Sequence, residues 1–148
     1  MNLRGINRVI VAVNDIEKSK AYYTETLGAT FHEAHWTGEA YGINVAISWN
    51  AGIELCAPMK GREHNSAVSG FLEQNGEGII NVVIGFNDVA KARQEAESAG
   101  MSTTHSLDYS QDEIDSHLDA LFCKYEEHII SSAEHCGFSI TLAQIDPK

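Results

Sequence analysis

Several features that would assign this sequence to a class at once are scarce or absent. Its three cysteines, Cys56, Cys123 and Cys136, are widely spaced, include no C-x-x-C pair and indicate no disulfide framework. No apolar run approaches the roughly 18 residues of a membrane span. The first residues also lack the apolar stretch and small-residue cleavage site of a signal peptide. We therefore expect a cytoplasmic globular protein with no membrane partner.

Basic residues are scarce as well. Ten lysines and arginines stand against 21 aspartates and glutamates, which leaves a formal net charge of −11. Nucleic acids and anionic membranes require basic residues to neutralise phosphates, so this charge disfavours both partners. A glycine-rich phosphate loop is also absent, because Gly76-Glu-Gly78 lacks the spacing and the lysine of a nucleotide motif.

An internal repeat organises what is present. A β-branched strand that ends at Asp15 leads into a helical stretch closed by Gly28, and a second such strand, ending at Asp88, leads into one closed by Gly100. The two aspartates are 73 residues apart (88 − 15). Aspartate suits a helix N-cap, and glycine suits the left-handed position just past a helix end. The pattern predicts the same strand–helix unit twice.

Three strand-like segments follow each helix. They are expected at 29–36, 41–49 and 52–56 in the first half, and at 101–107, 124–131 and 137–143 in the second. The sequence thus predicts an α+β fold of two βαβββ modules in one domain, residues 1–148. Its parts are module one at about 4–58, a connection at about 59–77 and module two at about 78–145. The last strands match at Glu54 and Thr141, 87 residues apart (141 − 54), so module two holds extra residues.

Residues 13–28, Val-Asn-Asp-Ile-Glu-Lys-Ser-Lys-Ala-Tyr-Tyr-Thr-Glu-Thr-Leu-Gly, resemble the opening of vicinal oxygen chelate proteins, the glyoxalase/bleomycin-resistance/dioxygenase superfamily. Residues 71–79, Phe-Leu-Glu-Gln-Asn-Gly-Glu-Gly-Ile, look like the middle of its methylmalonyl-CoA epimerase-like members. The resemblance implies a rolled mixed sheet whose cup holds a ligand. It indicates a fold and not one activity, since the superfamily includes lyases, epimerases, dioxygenases, thiol transferases and drug-binding proteins.

Metal-dependent members of that superfamily take four ligands from the first and last strands of the two modules. The matching positions here are Arg8, Glu54, Asn81 and Thr141. Arginine has five donors and no acceptor, so it cannot coordinate a cation, and of the four only Glu54 is a good ligand. The resemblance therefore implies that the metal site is lost, and we expect neither a metal nor another cofactor.

Strand alternation adds two residues to the ligand-facing wall, because Cys56 shares the face of Glu54 and Ser139 shares that of Thr141. Arg8 and Glu54 either place a guanidinium where the metal charge would be or form only a salt bridge that closes a vestigial pocket. His128 lies in a central strand, and if it faces the ligand it is the best available general base.

The extra residues of module two are assigned to a short helix at about 110–122. Ser110 and Glu113 have the spacing of a capping box, and Ile114, Leu118 and Leu121 follow at helical spacing. Burial of this apolar stripe leaves two positions open for the helix. It covers the ligand cup as a lid or wall, or it packs at a dimer contact or on the outer sheet face.

Two functions remain. The main prediction is a metal-independent small-molecule binding protein of the glyoxalase/bleomycin-resistance type, with ligand-binding residues Arg8, Glu54, Asn81, Thr141, Cys56 and Ser139. The alternative is a lyase or isomerase that uses Glu54 or His128 as base and Arg8 as electrophile. In either case a homodimer is expected, because an exposed sheet edge invites pairing and two-fold dimers are the commonest assembly.

Overall fold

The computed structural model of the protein describes residues 2–131 and 137–148; His135, expected in a turn, and Cys136 lie outside the described residues. The described elements in chain order are β1 (Leu3–Ala12), α1 (Ile16–Leu27), β2 (His32–Glu33), α2 (His35–Gly38), a 3-10 turn (Glu39–Tyr41), β3 (Ile43–Ser48), β4 (Ile53–Pro58), α3 (Ser69–Asn75), β5 (Gly78–Phe86), α4 (Val89–Ser98), β6 (Thr103–Asp108), α5 (Gln111–His117), β7 (Phe122–Ile130) and β8 (Ser139–Pro147). The predicted α+β class is confirmed. None of the described helices is long and apolar enough to cross a membrane.

The chain divides into two compact units, one of residues Arg8–Ile80 and one of Asn81–Lys148 together with the first strand residues up to Asn7. That the two modules make up a single domain stays a prediction.

In the unit of residues 8–80 the strand order is β2-β3-β4-β1, with β1 parallel to β4 and the other neighbours antiparallel. Asp15 caps α1 by accepting a hydrogen bond from the Lys18 N–H at 3.0 Å, and Gly28 ends it in the left-handed conformation at φ 71°. The apolar face of α1 packs on Val11 and Leu55 to form the core of this unit.

In the unit that contains residues 81–148 the order is β5-β8-β7-β6, with β5 parallel to β8. Asp88 caps α4 as Asp15 caps α1, through the Lys91 N–H at 2.9 Å. The strand registers also repeat, since Ile10 lies opposite Glu54 and Val83 lies opposite Thr141. These partners are the residues that the sequence offsets of 73 and 87 relate, so the predicted module repeat is present in the backbone pairing.

The strand expected at 29–36 is wrong for most of its length. Only His32–Glu33 pairs with β3, and the chain then turns into α2 at His35. The His35 Nδ1 atom accepts the Val45 N–H at 3.0 Å, which ties this turn to β3. A Cβ atom on Gly38 would lie 2.6 Å from Ile43 atoms, so only glycine allows the turn to pack this closely on β3.

The helix expected at about 110–122 is shorter than predicted. Its capping box between Ser110 and Glu113 is present, but α5 ends at His117. Asp119 and Ala120 adopt positive φ angles of 55° and 54°, which no α-helix accommodates. Phe122 already belongs to β7, because it pairs with Pro147 of β8 and does not continue the helix.

Candidate functional site

The alternation of β1 and β4 places Arg8 and Glu54 on one face of their sheet. Val11 and Leu55 point toward α1 and belong to the core cluster of this unit. Successive strand residues point to opposite faces, so Arg8 and Glu54 lie on the face away from α1. We refer to this as the open face of unit 8–80.

Arg8 and Glu54 form a buried ion pair. The Arg8 Nε–H donates to Glu54 Oε2 at 2.6 Å, and the two residues are 2% and 7% exposed. The Arg8 guanidinium carbon lies 5.4 Å from the ring centroid of Trp49, within cation–π range. Cys56, which shares this face as predicted, donates its thiol to Glu54 Oε1 at 3.6 Å. The guanidinium and the carboxylate are thus held in a defined orientation.

Asn81 and Thr141 form the corresponding pair in the other unit. Thr141 is the strand partner of Ile129, whereas Ile130 and Leu142 pack in the core with α4, so Thr141 faces away from that helix. Both Asn81 and Thr141 are buried, and the Thr141 hydroxyl donates to Asn81 Oδ1 at 2.9 Å. The half-buried Ser139 is the strand partner of Asn81. We refer to the face that carries Asn81 and Thr141, away from α4, as the open face of unit 81–148.

Neither pair suits the divalent cation that metal-dependent members of the superfamily hold. In the first pair a cationic donor stands at a position that the resemblance matches to a metal ligand, and it already binds the carboxylate of the pair. In the second the Asn81 oxygen accepts a hydroxyl, and neutral oxygens are weak ligands. Nowhere in residues 2–131 and 137–148 do three or more histidine, cysteine or acidic side chains gather as a metal site would require. The two pairs therefore do not fit a divalent cation.

His128 does not lie where the isomerase prediction needs it. It is the strand partner of Leu142, a residue of the α4 core, so it faces α4 and not the open face that carries Thr141. Alternation alone placed His128 opposite Ile129 correctly, but it did not tell which of the two faces is covered by a helix. The sequence made His128 a base only on condition that it faces the ligand, and its position on the α4 side places it away from Thr141.

Glu127 is a residue that sequence reasoning missed. It is buried and has Ala143 as its partner on β8, so it shares the open face of Thr141. The signal was available, because Tyr125, Glu127 and Ile129 alternate along β7. Glutamate is rarely buried in proteins. In the repeat the same register position is occupied by Val45, which is opposite Cys56.

Cavities of this chain also lie away from the open faces. In unit 8–80 a groove of about 630 Å³ lies at the ends of β1 and β4, and a loop and α3 complete its wall. Its lining residues include Asn14, Lys60 and His64 but neither Arg8 nor Glu54. It therefore does not contain the buried ion pair.

Comparison with known proteins gives one consistent assignment. Residues 5–110 match the Glyoxalase/Bleomycin resistance protein/Dioxygenase superfamily. The mitochondrial methylmalonyl-CoA epimerase of Homo sapiens is 39% identical over 79 residues, 52% of this chain and 43% of the human protein. The match thus spans less than half of that relative. The ethylmalonyl-CoA/methylmalonyl-CoA epimerase of Cereibacter sphaeroides is 34% identical over 98 residues, 64% of this chain and 70% of that protein.

The fold likeness extends over almost the whole chain. A variant of Streptomyces coelicolor methylmalonyl-CoA epimerase, solved in complex with 2-nitronate-propionyl-CoA, superposes with a TM-score of 0.74 at 19% identity. The superposition covers 97% of this chain and 98% of that chain. The family match, the similar relatives and the repeated βαβββ modules agree with the resemblance seen in the sequence. This chain belongs to the Glyoxalase/Bleomycin resistance protein/Dioxygenase superfamily, also called the vicinal oxygen chelate superfamily.

Proposed function

We propose that this protein is a metal-independent isomerase that labilises the proton next to the carbonyl group of an acyl-CoA thioester. The observation that carries the proposal is the buried Arg8–Glu54 pair at 2.6 Å. The resemblance implies that these are two of the positions at which metal-dependent members hold their cation. The substrate class comes from the relatives, which are epimerases of methylmalonyl-CoA and ethylmalonyl-CoA.

The pair supplies the two groups that such a reaction needs. The Glu54 carboxylate takes the proton from the α-carbon, and the electron pair of the broken C–H bond moves toward the carbonyl oxygen to form an enolate. The Arg8 guanidinium offers a permanent positive charge and N–H donors to that oxygen, and these stabilise the developing negative charge. Return of a proton to the α-carbon collapses the enolate and completes the isomerisation.

Proton exchange tests this chemistry directly. In deuterium oxide, the protein is expected to replace the α-proton of methylmalonyl-CoA with deuterium at the same rate with and without excess EDTA. Loss of the α-proton signal in proton NMR spectra measures this rate. The Glu54→Gln variant should lower that rate at least about 100-fold, because it removes the base. Glu25→Gln, a substitution of an exposed glutamate on α1, is the matched control and should leave the rate unchanged. Exchange that stops with EDTA and returns with added cobalt contradicts the proposal.

A second function is favoured by a specific observation. Arg8 and Glu54 are bonded to each other and almost wholly buried, as expected of a salt bridge that only shapes a pocket. The protein is then a metal-independent small-molecule binding protein, with Cys56, Asn81, Ser139 and Thr141 on the open faces of their units as further ligand-binding candidates. Calorimetric titration that detects methylmalonyl-CoA binding, in the absence of any α-proton exchange, would favour this function over the first.

We also expect a homodimer with two-fold symmetry. Leu3 and Ile6 at the start of β1 are large apolar side chains left exposed, and a partner would remove them from water. Sedimentation at micromolar concentration should show a dimer, and Ile6→Glu should weaken it at least about tenfold. Leu27→Glu, on the equally exposed end of α1, is the control. A monomer for the unaltered protein refutes this expectation.

A further inference from the structure

Three polar residues form a connected chain on the α4-facing side of unit 81–148. Ser106 on β6 lies directly opposite His128 on β7, and Glu126 precedes His128 by two residues, so all three share one face. The Ser106 Oγ atom is 2.8 Å from His128 Nδ1, and His128 Nε2 is 3.0 Å from Glu126 Oε1. Neither contact belongs to the Arg8–Glu54 pair.

The direction of these hydrogen bonds follows from the chemistry of the three groups. An ionised carboxylate only accepts, so the Nε2 atom of His128 carries the proton and donates to Glu126. In the neutral ring the other nitrogen is then an acceptor, and Nδ1 receives the hydroxyl proton of Ser106. The resulting polarity runs from hydroxyl to imidazole to carboxylate. A serine nucleophile, its general base and an orienting acid require this polarity.

The electrostatic setting keeps the carboxylate in its charged form. Burial acts to raise the pKa of Glu126, but the hydrogen bonds and charges of Lys124 and His128 together outweigh it and lower that pKa below its usual value. The Lys124 ammonium lies 2.6 Å from Glu126 Oε2, on the oxygen that His128 does not use. Glu126 can therefore orient the His128 ring and stabilise it when it takes up a proton.

The chain of groups is also accessible. His128 itself is only 4% exposed, whereas Ser106 lies at the surface on β6. His128 and Glu126 line a groove of about 410 Å³ whose other wall is α4, with both basic (Lys91, Arg93) and acidic (Asp88, Glu97) side chains. The groove gives access to the ring of His128, and the surface position of Ser106 gives access to its hydroxyl.

We propose that Ser106, His128 and Glu126 form a second reactive site, which transfers the acyl group of small polar carboxylic esters to Ser106 and then to water. The Ser106 oxygen attacks the carbonyl carbon while His128 Nδ1 takes its proton, and the bond to the leaving alcohol breaks as that alcohol receives the proton. Water then attacks the acyl-serine, which releases the acid and restores the hydroxyl. Glu126 is a positioning residue.

The site is tested with p-nitrophenyl acetate and with a fluorophosphonate probe on the full chain. The proposal expects release of p-nitrophenolate and an acyl or phosphonyl group carried by Ser106 in peptide mass spectra. The Ser106→Ala variant should lose both the label and at least about 100-fold in rate, given the size of serine–histidine effects. Ser98→Ala, at an exposed serine on α4, is the matched control and should retain both. Unchanged hydrolysis in Ser106→Ala, or label on other residues only, overturns the proposal.

A variant of Glu126 separates a catalytic relay from a structural one. Glu126→Gln keeps a hydrogen-bond acceptor for His128 but removes the charge that stabilises a protonated ring. The relay predicts a kcat at least about tenfold lower with an unchanged KM for p-nitrophenyl acetate. If the Glu126→Gln variant hydrolyses the ester at the rate of the unaltered protein, and the probe labels Ser106 in neither protein, the three residues only join β6 to β7.

Discussion

Replacing Arg8 by methionine is expected to lower the free energy of unfolding by about 3–5 kcal/mol. The substitution leaves the Glu54 carboxylate buried at 7% exposure without its cationic partner, and the desolvation of an unpaired charge is costly. It also removes the contact between the guanidinium and the Trp49 ring. Urea denaturation followed by circular dichroism measures the change.

Two comparisons show whether burial causes the loss. Arg93→Met removes the exposed i,i+4 pair with Glu97 on α4, and it should cost no more than about 1 kcal/mol because water already screens that pair. The double variant Arg8→Met with Glu54→Leu should recover most of the stability, since an apolar pair can replace a buried ion pair. If the double variant is as unstable as Arg8→Met alone, the unpaired carboxylate is not the cause.

The second large effect concerns α5. Ile114→Ala is expected to lower the free energy of unfolding by about 2–5 kcal/mol, the range for a large-to-small change in a core. Ile114 is 1% exposed although it belongs to a helix of only seven residues. The same denaturation experiment measures it, and Leu121→Ala, at an exposed side chain just past α5, is the matched control with an expected change below about 0.5 kcal/mol.

The contacts around α5 also bear on its role. The rings of Tyr109 before the helix and Phe122 after it both contact Tyr125, at 5.4 and 5.8 Å between centroids. Tyr125 shares the open face of Thr141 through the alternation of β7. That α5 is a wall on this face stays a prediction. A wall requires that the buried Ile114 side chain anchors α5. If the amides of α5 remain fully protected from hydrogen exchange in the Ile114→Ala variant, Ile114 is not that anchor.

Local signals were enough for much of the fold. Asp15 and Asp88 cap their helices, and Ser110 and Glu113 form the predicted capping box, because capping depends on groups within one turn of the chain. The repeat offsets also agree with the strand pairing, since Glu54 and Thr141 occupy equivalent register positions. A repeated sequence places repeated hydrophobic faces against equivalent partners.

Signals that depend on distant partners were less informative. The apolar spacing of Ile114, Leu118 and Leu121 favours a helix to about residue 122, but pairing with β8 places Phe122 in a strand. Segment 29–36 contains residues suited to a strand, but the Val45 N–H that His35 accepts lies ten residues away. Propensity is a weak guide where one tertiary hydrogen bond favours another conformation.

For the site, the sequence by itself determined the chemical groups at the positions that the resemblance matches to metal ligands, and that Arg8 at one of them cannot coordinate a cation. It also determined which residues alternate on each strand. Only the tertiary structure decided that α4 covers the face of β7 and β8 that carries His128 and not the face that carries Thr141. It also decided that Glu127 lies on the face of Thr141, and that Ser106 is hydrogen-bonded to His128. The physical reason is that alternation divides a strand into two faces, whereas the helix and the neighbouring strands decide what each face contacts.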